Sequence, residues 1–328
     1  MNKLWVKVLT ASASAILLIA LIKIYQVQSA LESTVDKINV EIPEQTAPKV
    51  ELKDLKPISI LLLGLDIPHH KKGTDIGRTD TMMLVTINPE TKQTTIVSIP
   101  RDIRVYIEEQ GFQKINAVWT FGEIAEEGSG IEASTAFISE MFDTPINYAV
   151  QLDFQGFSDL VDAIGGVTVE NDFAFTSRRY EFPVGPLELD GKEALTYVRM
   201  RYEDPLGETG RQKRQRQVIR QIAHNMKSPK VLSSLRSIFR AVEDNVRTNL
   251  TLDEMIELHQ DYVPMLGKIE SIVVETTPAT IDDISYERLH FEERVRIANI
   301  LRNSLELASK ETSEYTQTTE ELSNPPNE

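Results

Sequence analysis

Three continuous apolar runs of strand length constrain the fold of this 328-residue chain more than any other feature. Their sequences are ISILLLGL at residues 58–65, TMMLVTI at residues 81–87 and TTIVSI at residues 94–99. A strand that is apolar on both faces must be covered on both faces by other elements. The runs therefore predict the buried centre of a sheet, with a hairpin at Asn88 and Pro89 joining the second run to the third.

Helical and extended segments are mixed in the rest of the chain. Helices are predicted at residues 118–127, 131–142, 157–164, 191–201, 211–226 and 290–308, and strands at residues 147–154, 167–170 and 268–275. Further amphipathic segments lie near residues 231–243 and 252–264. Strands and helices mixed in this way predict an α/β fold, more specifically a three-layer α/β/α domain.

An uncharged stretch, VLTASASAILLIALI at residues 8–22, precedes the predicted domain. Residues 4–6 extend it past Lys7, and the total approaches the roughly 20 residues that span a bilayer. Lys3 and Lys7 make the preceding flank the more positive one, which is the flank expected to stay in the cytoplasm. A cleaved signal peptide is the alternative, with only a weak cleavage site at residues 27–29. We therefore predict one N-terminal transmembrane helix that anchors a single-pass type II protein in the cell membrane.

These features divide the chain into four predicted parts. Residues 1–25 form a cytoplasmic stub and the transmembrane signal-anchor, and residues 26–56 form an extracellular stalk. Residues 57–308 form the globular domain, and its sequence motifs lie in residues 57–225. Residues 309–328 are polar and acidic and are expected to be disordered.

Composition limits the classes of function. The chain is 41% hydrophobic and 26% charged, as expected of a globular protein. Its formal net charge of −15 argues against nucleic acid as a partner. The absence of cysteine excludes disulfides, a catalytic thiol and cysteine metal sites. A Walker A loop, a GxSxG nucleophile elbow and an HExxH motif are also absent, and His69 and His70 are expected to be exposed loop residues.

Charged residues stand at the edges of the apolar runs. Asp66 follows the first run, and Asp80 directly precedes the second. Two carboxylates at neighbouring strand ends suit Mg²⁺, which keeps waters and takes its other ligands from phosphate. Loop carboxylates that only make turn hydrogen bonds are the simpler alternative. Arg101 and Asp102 follow the third run at a strand exit, where ligands collect in α/β sheets, although a surface ion pair would give the same pattern.

A basic segment lies within this acidic chain. Residues 178–220 contain eight arginines and two lysines against seven acidic residues. In the predicted basic helix, one face is formed by Arg211, Arg214, Gln215, Val218 and Ile222. Arg199 and Arg201 precede this helix and would share a side in extended backbone. Arginines that face a domain need an anionic partner, and their planar fork suits phosphate.

Two simpler interpretations of the basic segment remain open. The arginines could form a solvated face, or they could pair with the acidic residues of the preceding loop, Glu203, Asp204 and Glu208. A DNA-binding helix is disfavoured by the acidic charge, the predicted anchor and the lack of a helix-turn-helix pattern.

Seven stretches, in this order and spacing, resemble the LytR-CpsA-Psr family of cell-wall transferases. They are ILLLGLD (60–66), GRTDTMMLVTINP (77–89), SIPRD (98–102), KINAVWTFG (114–122), DFQGFSDLVDAIGGV (153–167), LDGKEALTYVRMRYEDP (189–205) and GRQKRQRQVI (210–219). The resemblance implies an α/β/α domain around a mixed central sheet. It also implies transfer of an anionic glycopolymer, such as wall teichoic acid or capsule, from undecaprenyl pyrophosphate to peptidoglycan, with release of undecaprenyl phosphate.

The resemblance also implies roles for particular residues. Asp66 and Asp80 would hold Mg²⁺ or Mn²⁺. The pyrophosphate would be bound by Arg78, Arg101, Arg199, Arg201, Arg211, Arg214 and Gln215. Lys114 and Asn116 lie in a motif expected near the pocket, and Glu208 stands where the family usually has Asp. Three other functions stay open: a pyrophosphatase or other hydrolase acting on the same lipid-linked substrate, a membrane-bound transcription regulator and a non-catalytic wall-binding protein.

Overall fold

The computed structural model describes residues 37–67, 76–201, 203–228, 231, 238 and 240–315. The predicted anchor, the histidine pair of the loop and most of the amphipathic segment at 231–243 lie outside these residues. Within them, no helix combines the length and the apolar composition that crossing a bilayer requires.

Fourteen strands and seven α-helices are described. The strands are β1 (Ile58–Asp66), β2 (Arg78–Asn88), β3 (Gln93–Ile99), β4 (Arg104–Ile107), β5 (Gly111–Lys114), β6 (Tyr148–Asp153), β7 (Val167–Asn171), β8 (Phe175–Ser177), β9 (Tyr180–Phe182), β10 (Gly185–Leu189), β11 (Val246–Thr248), β12 (Lys268–Val273), β13 (Thr276–Ile281) and β14 (Ile284–Leu289). The helices are α1 (Ala117–Ala125), α2 (Gly130–Met141), α3 (Phe154–Ala163), α4 (Gly191–Arg199), α5 (Gly207–Asn225), α6 (Leu252–Glu257) and α7 (Phe291–Ser304).

The central sheet is mixed, as the family resemblance implied, and its strand order is β11-β6-β1-β2-β3-β12. β2 is antiparallel to both β1 and β3, whereas β6 is parallel to β1 and β12 is parallel to β3. Four strands therefore run in the same direction and end at one edge of the sheet, where β2 begins. Ligands of α/β proteins collect at such an edge.

Helices cover both faces of the sheet, which confirms the three-layer prediction. Alternate side chains of β1 point to opposite faces. Leu61 and Leu63 pack with the cluster that includes residues of α1, α2 and α7. Ile58, on the other face, packs with a cluster that reaches Ile219 of α5 and Tyr262. The strands of the predicted hairpin, β2 and β3, are buried almost throughout because both layers cover them.

The segment at residues 37–56 corrects the predicted stalk, because it packs on the domain. Ile38, Ala47 and Leu52 are buried. The amide of Val40 donates to the carbonyl of Thr248 in β11, at 2.8 Å, so the segment also lies along an edge strand of the sheet. The packed domain therefore begins before residue 57. Isolated apolar residues among prolines and charges have no helical or strand period, so the sequence gives no sign of this packing.

The start of the predicted disordered tail is also packed. Residues Thr312–Glu314 form a 3-10 turn, and Tyr315 is buried against the cluster that includes α7. The predicted helix at 290–308 is shorter, Phe291–Ser304, and the chain then folds back on it through the amide of Lys310, which donates to Asn299. The rest of the tail lies outside the described residues.

Several short hairpins were not predicted. β4 pairs with β5, β8 with β9 and β13 with β14. The β13–β14 turn places Asp282 and Asp283 at φ 50° and 62°, the left-handed region that a two-residue hairpin turn requires and that Asp tolerates. The adjacent aspartates are the sequence feature from which this turn could have been predicted. This hairpin continues from β12 and forms one wall of a cleft at the carboxyl edge of the sheet.

Candidate active site

The ends of β1 and β2 bring two carboxylates to the carboxyl edge of the sheet. Asp66 is the last residue of β1 and pairs in register with Arg78, the first residue of β2. Gly77 directly precedes Arg78 at φ 101°, and a Cβ there would lie 2.7 Å from the carbonyl oxygen of Asp66. Only glycine lets the chain enter β2 this close to β1. Asp80 follows two residues later, at an irregularity in the pairing of β1 with β2 that leaves it without a partner in the register.

Arg101 connects Asp80 to a second acidic residue. It follows β3 and Pro100, and its Nη1 lies 2.5 Å from Oδ1 of Asp80. Its Nε lies 3.7 Å from Asp102, which also accepts a 2.7 Å hydrogen bond from Nζ of Lys114. Burial opposes the charge of Arg101, but Asp80, Asp102 and Glu208 together outweigh it, so the pKa of Arg101 is raised above its ordinary value. The guanidinium is thus held charged at the exit of β3.

Arg199 is the last residue of α4 and is partly desolvated. The helix begins with a capping box between Asp190 and Glu193, which fixes its start. At the other end, the guanidinium of Arg199 lies 3.9 Å from the ring centroid of Phe154, and its Nη2 lies 3.8 Å from Asp66. Burial lowers the pKa of Arg199, and the neighbouring carboxylates oppose this only in part. The side chain is still 36% exposed, so an anion can reach it.

Glu208 holds two further arginines at the start of α5. Arg211 donates to both of its carboxylate oxygens, at 2.9 and 2.5 Å, and the Nε of Arg201 lies 3.6 Å from it. Both terminal nitrogens of Arg211 also lie 3.3 Å from the carbonyl oxygen of Asp80. Gln215, one turn later, donates to Thr81 Oγ1 at 3.0 Å. These contacts fix the first turns of α5 against β2.

Arg214 is placed differently from the other predicted phosphate-binding arginines. It is 5% exposed, and its Nε donates to the carbonyl oxygen of Tyr197 at 2.9 Å. Its terminal nitrogens bond Asp204 and the carbonyl oxygen of Met200. All three nitrogen atoms are therefore engaged within the protein. Arg214 fixes the loop between α4 and α5, and this loop carries Arg201.

The alternatives left open for the basic segment can now be compared with the geometry. The predicted inward face of α5 is confirmed, because Arg211, Arg214, Gln215 and Val218 are all buried. A solvated face is therefore excluded for these residues. Pairing with the loop acids is observed for Asp204 and Glu208. Arg101, Arg199 and Arg201 remain partly exposed beside the carboxylates, and Arg78 is exposed.

Asn116 lies beneath this arginine group. It is 4% exposed and directly precedes α1, and its backbone N–H donates to the backbone carbonyl of Arg101. Its side-chain oxygen has no hydrogen-bond partner among the described residues. A buried acceptor of this kind can orient a donor or a water close to Arg101.

The carboxylates can be compared with the needs of a metal ion. In the part of the chain that the structure describes, no group of three or more His, Cys, Asp or Glu side chains could hold a metal. Asp66 and Asp80 contribute two carboxylates at adjacent strand ends, and the charges of both act on Arg199. Mg²⁺ takes waters and phosphate oxygens beside one or two carboxylates. The pair thus fits a cation that shares its ligands with a bound phosphate.

An open cleft of about 640 Å³ adjoins the arginine group at the ends of β3 and β12. The arginine group consists of Arg78, Arg101, Arg199 and Arg201. Arg101 also lines the cleft, as does Glu208, which pairs with Arg201. Gln212 also lines it, and was not predicted because the helical period marked only its neighbours Arg211 and Arg214. Sequence reasoning also missed Phe154 as the support of Arg199. Its only signal was its position at a predicted strand end.

Together these observations define an α/β/α protein with partly exposed arginines and two carboxylates at the carboxyl edge of its sheet. The model of the LytR_cpsA_psr family matches residues 20–303, and the chain belongs to this family.

Similar proteins agree with this assignment. The chain is 37% identical over 276 residues to the polyisoprenyl-teichoic acid–peptidoglycan teichoic acid transferase TagU of Enterococcus faecalis, an alignment that covers 84% of this chain and 88% of that protein. The crystal structure of TagU from B. subtilis matches with a TM-score of 0.60 at 35% identity, over 77% of this chain and 98% of that one. An E. faecalis structure described as a transcriptional regulator matches with a TM-score of 0.71 at 33% identity, over 84% and 98%.

Proposed function

We propose that this protein is a phosphotransferase that moves an anionic glycopolymer of the teichoic-acid type from undecaprenyl pyrophosphate to peptidoglycan. The observation that carries the proposal is the set of arginines, Arg101, Arg199 and Arg201, held beside Asp66 and Asp80 at one edge of the sheet. The similarity to a named teichoic acid transferase supports the substrate class.

The reaction transfers a phosphoryl group to a hydroxyl. The acceptor oxygen forms a bond to the phosphorus that carries the polymer, and the bond from this phosphorus to the bridging oxygen breaks. The prenyl phosphate leaves with the electron pair, and the hydroxyl proton passes to a carboxylate at this edge. Such a reaction depends on positioning and charge neutralisation more than on covalent help from the protein.

The arginines supply most of that neutralisation. Arg199 and Arg201 can each bind two phosphate oxygens through the planar guanidinium, and Arg101 presents a third positive charge at the end of β3. Charge that develops on the bridging oxygen is stabilised by groups that are already in place. Asp66 and Asp80 would hold Mg²⁺ or Mn²⁺, which adds further positive charge next to the phosphate oxygens.

The N-terminal sequence completes the proposal. A signal-anchor at residues 8–22 keeps the catalytic domain at the outer face of the cell membrane, beside the lipid carrier and the wall of a Gram-positive-type envelope. A transcription regulator would need access to DNA, which the acidic charge and this topology disfavour.

The direct test uses the full-length protein in lipid vesicles with a lipid-linked glycopolymer and soluble peptidoglycan fragments. We expect prenyl phosphate and a phosphodiester-linked product in equal amounts. Without peptidoglycan, the phosphodiester-linked product should be absent and the release of prenyl phosphate should be slow. Release of prenyl phosphate at the full rate without an acceptor would show that the protein is a hydrolase. The absence of turnover under every condition would contradict the proposal.

A further inference from the structure

The cleft beside the arginine group differs from it in chemistry. It lies between the first turns of α5 and the β13–β14 hairpin, and its lining includes Arg101, Glu208, Gln212, Glu275, Glu287 and Arg296. Its volume, about 640 Å³, is in the range of small-molecule sites. Because Arg101 belongs to both and Glu208 pairs with Arg201, a ligand in the cleft would touch the place where the phosphate is expected.

Gln212 is built into the inner wall of the cleft. It is 5% exposed, and its Nε2 lies 3.4 Å from Oε1 of Glu208. Its Oε1 has no hydrogen-bond partner among the described residues. A buried acceptor without a donor costs stability, so this oxygen is available to a donor from a ligand or a water.

Among the residues that the structure describes, the outer wall is rich in hydrogen-bond acceptors, and its lining arginine, Arg296, is paired with Glu293. Glu287 accepts from Thr276 Oγ1 at 2.9 Å, and neither Glu287 nor Glu275 forms an ion pair with a described residue. Arg296 is held by Glu293 through two hydrogen bonds of 2.6 and 2.7 Å. Ionised carboxylates only accept hydrogen bonds, so this wall repels phosphate and favours donors such as hydroxyl groups.

We propose that this cleft binds the acceptor of the reaction, as an uncharged, hydroxyl-rich segment of a glycan strand, and that Gln212 positions the attacking hydroxyl. This inference rests on the proposed transfer to peptidoglycan and adds where the acceptor lies. Anionic polymer and lipid pyrophosphate remain on the arginine side, and neutral sugar rings occupy the acidic side. The two substrates meet at Arg101 and Glu208.

The kinetic test compares Gln212→Met with Gln217→Met in the full-length protein. Methionine keeps the length of glutamine and removes its oxygen. Gln217 is on the same helix but donates to the carbonyl oxygen of Glu170, outside the cleft. For Gln212→Met we expect the KM for soluble glycan strands to rise about threefold to tenfold, as for one lost neutral hydrogen bond. The KM for the lipid-linked donor should change less than twofold, and a larger share of donor should be hydrolysed.

A binding test does not depend on turnover, so it separates this inference from the proposed function. The probe is chitotetraose, an uncharged sugar oligomer. Its binding to the full-length protein is measured by calorimetry. The wild type and Gln217→Met should bind it equally, whereas Gln212→Met and Glu287→Gln should each bind about threefold to tenfold more weakly. No binding by the wild type, or equal binding by all four proteins, would overturn the acceptor cleft. Binding with this pattern but without polymer transfer would overturn only the transferase.

Discussion

At the scale of single residues, Arg199 is held where a partly desolvated guanidinium can receive a phosphate group. The Phe154 ring supports one face of its plane, at 3.9 Å. Lysine keeps the charge but loses both the stacking and the two-pronged hydrogen bonding. Arg199→Lys should therefore lower the transfer rate roughly tenfold or more, since one charge-assisted hydrogen bond of ~1.5–3 kcal/mol is lost. Arg240→Lys is the control, because Arg240 is exposed and does not line the cleft. Equal rates for both variants would contradict a phosphate-binding Arg199.

Arg214 should affect stability rather than phosphate binding alone. Its side chain and that of Asp204 are 5% and 2% exposed, and they bond each other. Removal of one partner leaves an unpaired buried charge, which costs about 3–5 kcal/mol. Arg214→Ala should show this loss in urea unfolding, whereas Arg199→Lys should unfold close to the wild type. An unchanged free energy of unfolding for Arg214→Ala would show that the pair does not hold the loop.

Asp80 is the residue on which the metal proposal depends. Asp80→Asn keeps the shape but removes the charge that a hard cation needs. Transfer should fall by more than roughly tenfold, and the Mg²⁺ concentration for half-maximal rate should rise. Asp172→Asn is a suitable control, because Asp172 is exposed and pairs with Lys213 away from the cluster. Full activity of Asp80→Asn in the presence of a chelator would exclude this carboxylate as a metal ligand.

The residue scale also shows how far the sequence can predict a site. The helical period identified Arg211, Arg214 and Gln215 as inward facing, because period depends only on the helix itself. It could not divide them into phosphate-binding and structural arginines. That division depends on whether Asp204 and Glu208, in the preceding loop and first turn, reach a given guanidinium. Loop conformation of this kind is fixed by tertiary contacts and not by local pattern.

At the scale of elements, the segment at residues 37–56 belongs to the domain. Leu52 is 2% exposed and packs beside Ile58 and Tyr148. Leu52→Ala should lower the free energy of unfolding by about 2–5 kcal/mol, as for a buried leucine. Leu55→Ala, three residues later and 39% exposed, should change it by less than about 0.5 kcal/mol. If Leu52→Ala and Leu55→Ala change thermal unfolding equally, the segment does not pack on the domain and the predicted stalk is correct.

Elements differed in how well the sequence predicted them. The buried strands β1, β2 and β3 were predicted nearly to their ends, because long apolar runs admit few alternatives. The hairpin β13–β14 was not, since its strands are mostly exposed or half-buried and Pro278 interrupts the pattern. Its position depends instead on contacts such as the hydrogen bond from the Glu287 amide to the Asp102 carbonyl. The cleft could not be predicted for the same reason.

At the scale of the whole molecule, arginines and carboxylates lie in different places, and in the proposed reaction each place suits one of the two substrates. The chain carries −15 overall, yet the partly exposed Arg101, Arg199 and Arg201 lie at one edge of the sheet, and several carboxylates line the adjoining cleft. An acidic surface keeps an anionic polymer away except where the arginines attract it. In the proposed reaction, this arrangement would direct the phosphate-bearing donor to one edge of the sheet.

The topology of the whole chain follows from the N-terminal charges. Lys3, Lys7 and the α-amino group precede the apolar run and only Lys23 follows it closely, so the N-terminus should stay in the cytoplasm and the domain should lie outside. Protease added to intact protoplasts should therefore digest the 37.1 kDa protein, while a cytoplasmic marker enzyme survives. Replacing Lys3 and Lys7 by glutamate should weaken this orientation and leave a fraction of the protein protected. If the wild-type domain is protected until the protoplasts are lysed, the domain is cytoplasmic and cannot reach the cell wall.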